Sequence, residues 1–176
     1  MVVRSDPSSS TFSITMRAVL QRVKQASVHV NGRLVSSIGP GILALVGVCQ
    51  DDTPEQIETL VRRILGIRLW PDGTAITDGA LHYTDEGKPW RMNVTELGGE
   101  VLCVSQFTLY ARMKGTKPDF HLAMGGTTAQ PFYEDFLAKM RSSYASDKVF
   151  DGEFGAMMDV SLINDGPVTI STYDVV

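Results

Sequence analysis

Two short runs hold the residue types from which a functional site could be built: Ser105-Gln106-Phe107-Thr108-Leu109 and Asn164-Asp165-Gly166-Pro167-Val168-Thr169. The first follows Val101-Leu102-Cys103-Val104, a buried-strand pattern that ends abruptly in side chains able to donate and accept hydrogen bonds. The second sets a Gly-Pro bond between two apolar runs, Val160-Ser161-Leu162-Ile163 and Val168-Thr169-Ile170. An X-Pro bond favours trans by only ~0.5–1 kcal/mol, so a fold can hold it cis wherever two backbone carbonyls must point the same way. Each run also has a plain reading. Ser105, Phe107 and Leu109 would share one face of a strand with Gln106, Thr108 and Tyr110 on the other, and Asn-Asp-Gly-Pro is a common turn composition.

The chemistry on offer is hydrogen-bond donation more clearly than base catalysis. No Gly-x-Ser-x-Gly elbow surrounds Ser105, so the strained turn that exposes a hydrolase serine is missing. His29, His82 and His121 fall in a hairpin strand and two loops without a nearby acid arrangement, and surface or structural roles are expected for them. Thr108 reads as a nucleophile, an orienting hydroxyl or a plain strand residue; without an adjacent base it is a weak nucleophile. Arg112, Lys114 and Lys117 follow directly, and this basic loop is expected to steer phosphate.

The elements that must position these groups are legible in part. Asn31-Gly32 between residues 26–30 and 33–38 is a two-residue hairpin signal, because the tight turn needs positive φ at both central positions. The first three strands are therefore expected as antiparallel neighbours, with a fourth at residues 42–48. Thr53-Pro54-Glu55-Gln56 supplies a cap, a first-turn proline and a capping glutamine. The helix it opens carries Ile57, Leu60, Val61, Ile64 and Leu65 on one face. Residues 67–70 read as a strand, and residues 71–99 as a polar surface excursion with Trp90 as its only large anchor. A second helix is expected near Pro131 with a core stripe of Phe132, Phe136, Leu137, Met140 and Tyr144. Strands at 158–163 and 168–173 close the pattern. The expected fold is a single α/β domain: a mixed, mostly antiparallel sheet or partial barrel with two main helices packed on it.

Composition bounds the function. At 176 residues and 43% hydrophobic content, the chain supports one well-buried core. Cys49 and Cys103 show no metal-ligand or CxxC spacing and read as reduced core thiols. No stretch approaches the ~18 apolar residues of a membrane helix. Residues 1–15, rich in serine, read as a disordered extension that is unlike a mitochondrial presequence; the folded domain is expected over 16–176, in the cytoplasm, with no membrane partner. A net charge of −4 disfavours an extended nucleic-acid surface, yet permits a grip on the end of one molecule.

Taken together, the two runs, Met16-Arg17-Ala18-Val19-Leu20-Gln21-Arg22-Val23, Ala26-Ser27-Val28, Gly39-Pro40-Gly41-Ile42-Leu43, Lys117-Pro118 and Phe154-Gly155-Ala156 resemble the D-aminoacyl-tRNA deacylases over nearly the whole chain after residue 15. The resemblance implies hydrolysis of the ester of D-aminoacyl-tRNA as chiral proofreading, without cofactor or metal. It implies a pocket for the terminal adenosine at Ser105, Gln106, Phe107 and Thr108, where backbone amides and the substrate's own 2′-hydroxyl carry catalysis. Phe107 and Thr108 would position the oxyanion or ester, with Gln106 and Ser105 in support. It further implies a homodimer in which a cis Gly166-Pro167 element, flanked by Asn164, enters the partner's pocket, receives the α-ammonium and repels an L side chain. Glycine has no side chain to reject, so Gly-tRNA is expected as a substrate too. Lys117 would contact the tRNA acceptor end. Met158 matches a position near the aminoacyl pocket, or is a flexible core methionine. One departure is Asp119, where the family usually has serine; it would either weaken RNA binding or face solvent. The rival readings are a generic Ser/Thr esterase and a non-catalytic nucleic-acid-binding dimer of the same fold.

Overall fold

The computed structural model describes residues 16–172; the expected disordered extension at 1–15, and position 173 of the last expected strand, lie outside the described residues. The chain runs through β1 (Arg17–Val30), β2 (Arg33–Ile38), β3 (Gly41–Gly47), α1 (Pro54–Gly66), β4 (Ala75–Thr77), β5 (Ala80–His82), α2 (Val94–Leu97), β6 (Glu100–Ser105), β7 (Arg112–Lys114), β8 (Lys117–Asp119), α3 (Gly126–Ser143), β9 (Val149–Asp151) and β10 (Asp159–Ser171). The main sheet has the order β10-β1-β3-β6-β9, with β2 also paired to β1. β1 runs antiparallel to β10, β2 and β3, whereas β3–β6 and β6–β9 are parallel. The expected mixed, mostly antiparallel sheet is thus observed, nearly closed into a barrel, with α1 and α3 as its main helices.

The sheet alternation sorts the core. Ala18 and Leu20 of β1, Ile42, Ala44 and Val46 of β3, and Val101 and Cys103 of β6 pack towards α1 and α3 with Ile57, Ile64, Phe136 and Met140. The intervening Leu43, Leu102 and Val104 join Val23, Val28 and Ile38 on the opposite face. The central strands are buried on both faces, so they read as continuous apolar runs. Both cysteines are buried free thiols. The α1 face is the expected one, and Gln56 Oε1 accepts the Thr53 N–H at 2.8 Å. Among the described residues no helix is long and apolar enough to cross a membrane.

Several boundaries differ from the sequence reading. The first two strands are one, β1, because Lys24-Gln25 is a bulge in the β10 ladder rather than a break. Residues 67–70 are not a strand; only Trp70 bridges, to Met92. α3 begins at Gly126, since the Gly125 carbonyl accepts from Thr128 and Ala129, and places Pro131 inside the helix. The two closing strands form one element, β10. Trp90 is 52% exposed and anchors nothing, whereas Trp70 is fully buried at the excursion's base. His82 lies on β5, in a hairpin with β4 turned by Asp78-Gly79 at positive φ. Asn93 caps α2, accepting from the Glu96 N–H at 2.9 Å.

Candidate active site

The apolar ladder of β6 ends where its sequence turns polar. Gln106 N–H makes the last bond to the sheet, to the Val46 carbonyl at 2.7 Å, and residues Phe107–Tyr110 then coil into a 3-10 turn. The expected strand through Leu109 therefore stops at Ser105. Tertiary anchoring explains the change: Tyr110 is fully buried, with the Arg17 guanidinium 4.6 Å above its ring. Arg17 also donates to the Leu109 carbonyl at 2.9 Å. Gly47 allows the close approach, because a Cβ there would stand 3.0 Å from Tyr110 Cε2 and 3.1 Å from the Gln106 carbonyl.

This turn presents donors. The first N–H groups of a helical turn have no partner within it, and among the described residues the N–H groups of Phe107 and Thr108 meet no acceptor. Gln106 Nε2 donates to Thr108 Oγ1 at 2.5 Å. The Thr108 oxygen is thereby occupied as an acceptor, its proton stays available, and among the described residues no carboxylate or imidazole bonds to it. That geometry suits an orienting hydroxyl. Ser105 is half-buried at the strand end. Phe107 is 57% exposed and meets Phe120 edge-on, with centroids 5.0 Å apart. Sequence reasoning missed Phe120; only its place after Lys117-Pro118 hinted at it.

Beneath the turn lies Asp52, 9% exposed. Cys49 N–H donates to its Oδ2 at 2.6 Å, while Oδ1 is buried without a partner among the described residues. Burial pushes this carboxyl up to about 6, with the backbone N–H groups of Cys49 and then Met16 working against the shift.

β7 and β8 form the basic hairpin beside the turn. Lys114 pairs with Asp119, and His121 Nδ1 lies 2.6 Å from the same carboxylate. The Lys114 ammonium, then the His121 contacts, hold Asp119 well below the usual carboxylate range. The anticipated unscreened negative charge is therefore compensated within the hairpin, and His121 is committed to Asp119. Arg112 and Lys117 remain exposed, with no ion pair among the described residues.

The Gly166-Pro167 bond is cis. It sits in a bulge of β10: Gln21 pairs with Thr169 but Val23 with Asn164, so the strand carries surplus residues that leave the ladder. Asn164 closes the bulge, its Oδ1 accepting from Val168 N–H at 2.7 Å and its Nδ2 donating to Thr169 Oγ1 at 3.0 Å. Arg22 Nε donates to the Asp165 carbonyl at 2.9 Å and lies 3.0 Å from its carboxylate. Asp165 is buried while Gly166 and Pro167 are exposed. Gly166 has φ +136°, and a Cβ there would fall 2.7 Å from Val168 Cγ2 and 3.2 Å from an Arg22 nitrogen.

Within one chain the two elements stay apart. Among the described residues no hydrogen bond, ion pair or ring contact joins Gly166 or Pro167 to residues 105–108. β1 explains the distance: Arg17 holds the turn and Arg22 holds the bulge, five residues or ~17 Å along the strand. Met158 packs against the core face holding Val28 and accepts from Glu153 N–H at 3.4 Å.

The single α/β domain thus carries a nearly closed mixed sheet with an acceptor-free amide pair at a strand end, and among the described residues no carboxylate or imidazole bonds to Thr108. The chain belongs to the D-Tyr-tRNA(Tyr) deacylase family, whose model matches residues 19–173. It is 52% identical over 156 residues to a D-aminoacyl-tRNA deacylase of Drosophila melanogaster, covering 89% of this chain and 90% of the relative. It is 46% identical over 155 residues to D-aminoacyl-tRNA deacylase 1 of Homo sapiens, covering 88% of this chain and 68% of the relative. Among solved structures it resembles a c-Myc DNA unwinding element binding protein, with TM-score 0.80, 44% identity, and 91% and 99% of the two chains covered. A probable eukaryotic D-amino acid tRNA deacylase shares the fold at TM-score 0.73 and 18% identity, over 90% of this chain and 99% of that one.

Proposed function

We propose that this chain hydrolyses the ester bond of D-aminoacyl-tRNA, releasing free D-amino acid and tRNA, and so proofreads chirality in translation. The observation that carries the reading is the pair of acceptor-free amides at Phe107 and Thr108, at the end of a strand whose side chains supply no base. Two fixed N–H donors are the means of stabilising an ester oxyanion without a nucleophilic side chain. Gln106 fixes Thr108, Ser105 supports the strand end, and Phe107 with Phe120 offers an aromatic platform for the terminal adenine. Lys117 and Arg112 meet the phosphates of the acceptor end.

Selectivity comes from a second subunit. In a homodimer the Gly166-Pro167 element of one chain, shaped by Asn164, enters the pocket of the other, and its exposure and distance from its own chain's turn support that arrangement. The carbonyls beside Pro167 receive the substrate ammonium, an L side chain collides, and glycine passes, so Gly-tRNA is cleaved as well. Met158 lines the aminoacyl end only in that assembly. The working compartment is the cytoplasm.

The test is release of D-tyrosine, L-tyrosine and glycine from matched charged tRNAs. Fast release of D-tyrosine and glycine with L-tyrosine spared is expected; release no faster than in buffer refutes the reading. A second reading, duplex-DNA binding, draws on the name of the structural neighbour. The net charge of −4 opposes it, and a salt-sensitive complex with duplex DNA in the absence of deacylation would favour it.

A further inference from the structure

We infer that Tyr83, carried by the excursion at residues 71–99, is a positioning residue for the Gly166-Pro167 element, acting through the Asp165 carboxylate. The inference rests on the deacylase reading above.

The excursion is well enough tied to place a side chain. At its base Leu69 and Trp70 N–H donate to the Met92 carbonyl at 3.0 and 3.1 Å, and Arg91 and Met92 N–H donate back to the Trp70 carbonyl at 2.8 and 2.9 Å. Trp70 is fully buried there. Further out, Asp72 N–H donates to the Lys88 carbonyl at 3.0 Å, and the β4–β5 hairpin is in full register. Tyr83 immediately follows β5, and its hydroxyl donates to the Asp165 carboxylate.

Asp165 immediately precedes Gly166 and is held from two elements at once. From β1, Arg22 grips its carbonyl and its carboxylate through Nε and reaches the Leu69 carbonyl with its other end. From the hairpin, the Tyr83 hydroxyl takes up the same carboxylate oxygen as Arg22, leaving that carboxylate fixed in direction as well as in charge. The Arg22 link to Leu69 joins the excursion's base to the same node. A hydrogen bond to an ionised acceptor is about twice as strong as a neutral one; Tyr83 is 43% exposed, yet partial desolvation of its hydroxyl and the bond to Asp165 both raise its pKa, so it stays protonated. The excursion is thus a brace that sets the aim of the Gly-Pro carbonyls. A misplacement of ~1 Å at such a site can cost ~100-fold in rate.

The test measures kcat and KM for D-Tyr-tRNA and L-Tyr-tRNA with the native chain, Tyr83→Phe, Asp165→Asn, the double variant, and His82→Gln as an exposed control on the same hairpin. Tyr83→Phe is expected to lower the D-over-L ratio about tenfold through kcat, with KM within about twofold, because the basic hairpin is untouched. Asp165→Asn keeps an acceptor for Tyr83 and loses the charge, and the double variant is expected to lose less than the two singles combined. His82→Gln is expected to match the native chain. A native ratio in Tyr83→Phe, strict additivity in the double variant, or an equal fall in D and L release tracking a lower melting temperature each overturns the inference while leaving the deacylase reading standing. A native chain that releases neither amino acid refutes the deacylase reading itself, and the inference falls with it.

Discussion

The buried Asp52 allows a quantitative test of how the site is supported. Its carboxyl is raised from 3.8 to about 6, chiefly by burial. The raised value means that the folded state prefers the protonated acid. The stabilising contribution is fully present below pH ~3.8 and is lost as pH rises from there through ~6. A pKa difference of one between the folded and unfolded chain is worth ~1.36 kcal/mol, so the rise at Asp52 amounts to ~3 kcal/mol, and residual solvent contact reduces the expected effect to ~1–3 kcal/mol. The assay is urea unfolding of the native chain and Asp52→Asn at half-unit steps from pH 4 to 8. The amide introduces a constant offset, since it keeps an acceptor for Cys49 N–H and places an NH2 at the unpartnered Oδ1 position. Only the difference between the two pH curves matters. Asp52→Asn should gain ~1–3 kcal/mol on the native chain between pH ~4 and ~7.5, with most of the change below pH ~6. Parallel curves would refute the reasoning, because they would mean that this carboxyl titrates alike in the folded and unfolded chain. Asp52 also borders the candidate site. The Cys49 N–H that donates to it lies beside the Cys49–Ala123 bridge, where Ala123 N–H donates to the Phe120 carbonyl, and the Asp52 charge acts on Tyr110 at the end of the candidate turn.

Three further outcomes follow from the site geometry. Thr108→Ala removes one hydrogen bond from Gln106, worth ~1 kcal/mol, and should slow D-tyrosine release by less than about tenfold; a thousandfold loss in a single-turnover assay would make Thr108 a nucleophile. Gly166→Ala forces a side chain onto φ +136° and against Val168 and Arg22. Circular-dichroism melts should show a loss of roughly 1–3 kcal/mol, accompanied by at least tenfold slower D release, and a variant with native stability would contradict the crowding of the bulge. Lys117→Ala should raise KM for D-Tyr-tRNA and reduce the slope of log affinity against log salt by ~0.7, the increment for one single-strand phosphate contact; an unchanged slope would place Lys117 away from the RNA.

Whatever depends on local periodicity and short-range chemistry was already legible in the sequence. The α1 cap and apolar face, the Asn31-Gly32 hairpin, the apolar β3 and β6, and the α3 stripe each arise from neighbours within a few residues, which propensity and pattern encode directly. The two runs that form the candidate site were visible for the same reason: their polar groups break off an apolar pattern. The shape those runs take depends instead on distant parts of the chain. Ser105 to Leu109 alternates as a strand would, yet the burial of Tyr110 and the reach of Arg17 from β1 turn it into a donor-bearing coil. The sequence reading counts residues 26–30 as a strand of their own, and only pairing with β10 joins them to the preceding residues through a bulge. Asp119 looked like a free charge until the hairpin brought Lys114 and His121 to it. Tyr83 and Asp165 stand 82 positions apart, a distance over which no local pattern carries information, and they meet because the excursion at residues 71–99 brings the end of the β4–β5 hairpin to β10.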